Sequence, residues 1–303
     1  MNQNRPIVDP HQHFWMLGNL HYPWLMDSHE SEFGQSHSGL IDFVKSHPDL
    51  TNDYLIANLR DDACDLNLVK TVHVEAVPSL DDSVAETQWL SELAGANKNQ
   101  GLPNGIIASV DLTRSDFTEK LNQHAQYPNL RGVRQILNWI SEPLMLEEGW
   151  RKNYSQLEAL SLIFDMQIEP PQMADAAKLA ADFPGIQIVL NHTGLPDLDI
   201  DDGIEAWRKG MALLAQNENV KVKLSGFGML GPPFSTEFIR PFVLESIDLF
   251  GVSRCMFASN FPVDRLYVSY HDLWTSFMEV TEDFSEEEKS CLFYDNACSL
   301  YRL

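Results

Sequence analysis

The sequence predicts a (β/α)8 barrel formed by one domain spanning residues 1–303, on three observations. Short β-branched runs alternate with longer amphipathic segments, the signature of βα units around a parallel sheet. There are eight such runs. The first ends in histidines, where an open doubly wound sheet would more often carry a glycine-rich phosphate loop. The strands are expected at 6–9, 68–76, 105–111, 130–136, 163–168, 187–190, 220–224 and 255–258. Helices are expected at 83–98, 115–126, 172–183 and 204–216, with starts marked by polar residues such as Asp82 and Thr113. One connection is irregular. Residues 14–62 are far longer than an ordinary βα loop and carry HYPWL, Pro48 and several glycines. On a barrel such an insertion lies on the catalytic face, so it is expected to be a lid or a subsite wall.

Composition narrows the partners. Asp and Glu total 44 against 21 Lys and Arg, a net charge of −23. That excess repels nucleic acid and anionic membrane, leaving a small molecule as the expected partner, alongside copies of the chain itself in a homo-oligomer. Cys64, Cys255, Cys291 and Cys298 form no C-x-x-C pair, and buried, reduced thiols without disulfides are expected. No apolar run approaches the roughly 20 residues of a membrane helix, and the N-terminus lacks a signal design, which points to the cytoplasm.

Chemistry is expected where strands end. VDPHQHFW places His11 and His13 two apart, on the same side of an extended strand. That spacing suits two ligands of one metal, and equally a hydrogen-bonded pair in a core. The second strand offers Glu75, the fourth Arg134 and Gln135, and the fifth Gln167 and Glu169. The sixth offers His192, the seventh Ser225, and the eighth Asn260 and Asp264. Singly, each has a structural explanation: an ion pair for Glu75 or Arg134, a helix cap for His192, a cap or an Arg265 salt bridge for Asp264. Collected at one end of apolar strands, such polar groups need a ligand, metal or water cluster to compensate their desolvation.

VDPHQHFW, YPWL, LRGVRQ, NHTGLP, VKLSGFGM, RCMFASNFPVDRL and NACSLYRL together resemble the amidohydrolase-related family, in its lactonase-like branch. The resemblance implies a (β/α)8 barrel with His11, His13 and His192 at the catalytic centre. It also implies hydrolysis of lactones of sugar acids or dicarboxylic acids, with isomerases and decarboxylases as relatives. One departure stands out: the family usually carries an Asp at the end of strand eight that activates water, and this chain has Asn260. An amide is neither a base nor a good divalent-metal ligand. No lysine is apparent to bridge two metals, and Gln167 stands where many relatives have histidine. The expected cofactor is therefore at most one divalent ion, zinc first, on His11 and His13, with a metal-free site as the alternative. The expected assignment makes Asp264 the general base, Arg134 the binder of an anionic or carbonyl oxygen, and Glu75 and Gln167 substrate-binding groups. A lactone isomerase or decarboxylase, or a non-catalytic ligand-binding relative, stays open.

Overall fold

A computed structural model describes residues 4–230 and 233–303. The strands are β1 (Ile7–Gln12), β2 (Leu68–Val74), β3 (Gly105–Ser109), β4 (Leu130–Ile136), β5 (Ile163–Gln167), β6 (Ile188–Leu190), β7 (Val220–Leu224) and β8 (Cys255–Phe257). They pair in parallel in sequence order, with helices between them. β1 meets the far edge through a parallel bridge between Gln12 and Phe261. The His13 N–H donates to Phe261 O at 2.8 Å and the Asn260 N–H to His11 O at 2.8 Å, so the seam that closes the barrel runs through the site. The architecture is the expected (β/α)8 barrel.

β1 runs three residues further than expected, because its seam partners hold Pro10 to Gln12 extended. The helix expected from residue 115 begins at Phe117 and ends at His124. Thr113 does not start it: its hydroxyl donates to Asp111 Oδ1 at 2.6 Å, forming a turn. Asp82 does precede the helix Ser83–Gly95, without a side-chain cap bond.

The long connection after β1 is helical. It contains α1 (Pro23–Met26), α2 (Glu32–Ser36), α3 (Ser38–Ser46) and α4 (Ile56–Asp62). Pro23 suits the first turn of α1, where an N–H would have no partner. Trp24 is buried with its indole N–H donated to Ala76 O at 2.8 Å, which ties α1 to the end of β2.

Val8, Val72, Val74, Ile107, Ile163, Val189 and Met256 form one apolar cluster with Ala297 and Tyr301 of the C-terminal helix. A larger cluster fills the space between the sheet and the helices. All four cysteines are free. Cys255 alone is buried; Cys291 and Cys298 are partly covered and Cys64 is exposed, contrary to the expectation of four buried thiols. Among the described residues no helix is long and apolar enough to cross a membrane.

Candidate active site

A cavity of about 240 Å³ opens at the C-terminal ends of the strands, and His13, Glu75, Arg134, Gln167, His192 and Asn260 line it. Six of the eleven residues singled out from the strand ends thus converge. His11 and Asp264 do not reach its surface; both are fully buried beneath it.

The histidines form one chain of ring contacts, edge-on between His11 and His13 and tilted between His11 and His192. His11 lies 5.0 Å from His13 and 4.5 Å from His192, centroid to centroid. Burial lowers the affinity of all three for a proton, reinforced by neighbouring cations: Lys223 first for His11, Arg134 for His13 and His192. They are neutral imidazoles. His13 Nδ1 sits 2.7 Å from Val74 O, which can only accept, so its proton is on Nδ1 and its Nε2 carries a lone pair. That Nε2 lies 3.3 Å from Asn260 Oδ1.

Asn260 is held by the residue one turn on. Its Nδ2 donates to Asp264 Oδ1 at 2.8 Å, while Asp264 Oδ2 accepts the Gly228 N–H at 3.1 Å. Asp264 therefore orients an amide, where the sequence suggested a base in contact with water. Burial pushes its carboxyl up to about 7, against the pull of those two hydrogen bonds. Arg265 turns away to Asp62, at 3.5 Å.

Arg134 is as firmly committed. Its Nε donates to Glu75 Oε1 at 2.6 Å, Nη2 to Glu75 O at 2.8 Å and Nη1 to Gln167 Oε1 at 3.1 Å. A guanidinium has five N–H donors, so two remain. Glu75 Oε2 accepts the Val77 N–H at 2.8 Å, leaving neither carboxylate oxygen without a partner. Burial raises the Glu75 carboxyl and the Arg134 charge opposes it.

Backbone strain gathers here. Val77, His192, Thr193 and Asn260 adopt φ of 56°, 53°, 55° and 58°. A β-branched residue at positive φ is unfavourable, and such strain persists where the surroundings over-determine it. Gly226 (φ +72°) makes room: a Cβ there would come within 2.7 Å of His192 Cβ. Ser225 Oγ meets His192 Nδ1 at 3.2 Å. Gln135 and Glu169 serve structure: Gln135 Oε1 accepts the Trp150 indole N–H at 2.9 Å, and Glu169 accepts from Asn138 at 3.2 Å.

The sequence reading missed Lys223. It is fully buried, ion-paired with Asp165, and its Nζ lies 3.5 Å from His11 Nδ1. In VKVKL, Lys221 and Lys223 share one face of β7, and two spaced lysines read as a solvated face. Here Lys223 is instead held by Asp165, which also accepts from Tyr301 at 3.1 Å.

The model of the family described as Amidohydrolase matches residues 8–303. The chain belongs to the amidohydrolase family. The chain is 40% identical over 306 residues to uncharacterized protein y4mH of Sinorhizobium fredii, with 98% of each covered. It is 26% identical over 310 residues to an L-fucono-1,5-lactonase of Burkholderia ambifaria, covering 98% of this chain and 95% of the relative. An amidohydrolase from Burkholderia multivorans, solved with zinc bound, superimposes with a TM-score of 0.79 at 24% identity, covering 98% and 99% of the two chains.

That amidohydrolase holds zinc, but the donor set here does not fit such an ion. Among the described residues no group of three His, Cys, Asp or Glu is arranged to hold one. An ammonium beside His11 Nδ1 puts that ring's proton on Nε2, the atom that would have to offer a lone pair. The strand-eight position is an amide, a poor ligand for a divalent ion. The ligand role expected for His11 does not suit this arrangement, whereas His13 keeps a lone pair on Nε2.

Proposed function

We propose that this amidohydrolase opens a lactone by addition of water, with His13 as the general base. The observation that carries the reading is the pair of facing acceptors on the cavity floor: the His13 Nε2 lone pair and Asn260 Oδ1, 3.3 Å apart. Two acceptors cannot bond each other, but a water can donate one proton to each and keep a lone pair for a carbonyl carbon. His13 takes one proton as the C–O bond forms. The resulting imidazolium Nε2–H can then donate directly to Asn260 Oδ1, so the amide is matched to the charge that develops. The two uncommitted Arg134 N–H groups and His192, which line the same cavity, would stabilise the carbonyl oxygen as it becomes an oxyanion. On collapse, the ring C–O bond breaks and its oxygen receives the proton from His13, leaving a hydroxy acid.

This assigns water activation to His13 and makes Asp264 a positioning residue. The L-fucono-1,5-lactonase likeness supports the choice of a lactone. Turnover of a lactone panel in 18O-labelled water tests it: hydrolysis places one 18O in the carboxylate of the product. Release of carbon dioxide, or an isomeric lactone without label, would assign the site to a decarboxylase or isomerase instead.

A further inference from the structure

Resting on the lactonase reading, we infer that the substrate is an uncharged lactone bearing an apolar alkyl or aryl substituent, rather than a polyhydroxylated or carboxylated one. The polar atoms of the cavity are concentrated on its floor, and most are already paired. Both Glu75 oxygens, Gln167 Oε1 and Nε2, and Asn260 Nδ2 have partners within the protein. What remains for a ligand is His13 Nε2, Asn260 Oδ1, His192, two Arg134 N–H groups and one Gln167 N–H, a set clustered on the floor around one ester and its attacking water.

Above that floor the walls are apolar. Trp24, Leu40 and Phe43 come from the segment after β1, facing Trp139 and Met229 from later loops. The one polar atom of Trp24 is committed to Ala76 O, and the Tyr267 hydroxyl is the only side-chain oxygen among the described residues of this upper wall. Trp139 and Met229 are 36% and 38% exposed, large apolar surfaces left in water at the mouth of a cavity. At the mouth of a cavity such surface is available to cover an apolar group of a ligand. A polyol entering here would lose water from each hydroxyl with no partner to replace it, at roughly tenfold or more in affinity per hydroxyl.

Charge argues the same way. Glu75 neutralises Arg134 at 2.6 Å, so the cavity offers no unpaired cation to a carboxylate. A second cavity adjoins the first behind a partition of Glu75, Val77, Arg134, Ile136 and Trp139.

The test compares kcat/KM for δ-decalactone, δ-valerolactone, glucono-δ-lactone and L-fucono-1,5-lactone, together with binding of the inert 6-pentyl-piperidin-2-one and glucono-δ-lactam by calorimetry. The expected result is a preference on the order of 100-fold for δ-decalactone over either sugar lactone. Faster opening of the sugar lactones overturns the inference while leaving the lactonase reading intact. If no lactone turns over, the lactams decide: tighter binding of the alkyl lactam sustains the apolar site and removes only the reaction, and tighter binding of the polyhydroxy lactam overturns the site assignment as well. Substituting Trp139→Ser and Met229→Ser together, both at the exposed mouth, should lower kcat/KM for δ-decalactone about tenfold more than for δ-valerolactone. Equal losses on the two count against the apolar wall.

Discussion

Asp264→Asn separates the two roles this carboxylate could have. It is fully buried, with one oxygen accepting from Asn260 at 2.8 Å and the other from Gly228 at 3.1 Å. An amide in its place has one acceptor for two donors, so one hydrogen bond is lost, at about 1 kcal/mol when the carboxyl is protonated. Against this stands the cost of keeping a charge in the fold. Burial raises the carboxyl from 3.8 to about 7, so the folded state favours its proton. Wild-type stability from this group is therefore whole below about pH 4 and lost as pH rises to about 7; at ~1.4 kcal/mol per pH unit the loss approaches 4 kcal/mol. The neutral variant escapes that loss. Compared by urea unfolding, it should be about 1 kcal/mol less stable than wild type at pH 4 and roughly 3 kcal/mol more stable at pH 8. Activity should fall all the same, because Asn260 can now turn its Nδ2 toward His13 Nε2 and occupy the base. A drop of about 10- to 100-fold in kcat is expected, with KM little changed and the acid limb of the kcat profile retained. Loss of that limb would make Asp264 the base after all; unchanged kcat would show that it does not orient Asn260.

Other changes test the neighbouring groups. His13→Gln should lower kcat ~1000-fold or more while unfolding shows a stability within about 2 kcal/mol of wild type, as for a cavity residue; a collapse of cooperative unfolding would return it to the core. Arg134→Lys cannot reproduce three directed hydrogen bonds to Glu75 and Gln167, so kcat/KM should fall ~100-fold, and unaltered kinetics would take Arg134 out of the site. Lys223→Met leaves Asp165 buried without its cation and should cost about 3–5 kcal/mol in chemical unfolding. Elemental analysis should find no more than one transition metal per chain, and dialysis against chelator should leave lactone turnover in place; loss of turnover restored by zinc would overturn the reading of the donor set.

What the sequence disclosed depended on the range of the interaction. Strand positions and inward-facing residues follow from period-two patterns in short windows, so β4 and β7 match their expected bounds and the polar strand ends converge as anticipated. Roles did not follow, because they are set by partners far along the chain. Arg134 looked like an anion binder until Glu75, 59 residues away, was found at 2.6 Å. Asp264 looked like a base until its carboxylate was found beneath Asn260. Lys223 depends on Asp165, 58 residues away, and no local pattern distinguishes a lysine in a barrel interior from one on a solvated face. The same reasoning bears on charge. Most of the acidic excess lies on the surface, whereas Arg134 and Lys223, the cations nearest the histidines, are each matched by one buried carboxylate. The floor of the cavity is thereby held near neutrality whatever the sign of the surface. An uncharged imidazole can act as a base there, and Asn260 fits better than a second carboxylate would, since an ionised Asp at that position would lie against Asp264 and force the two to share a proton.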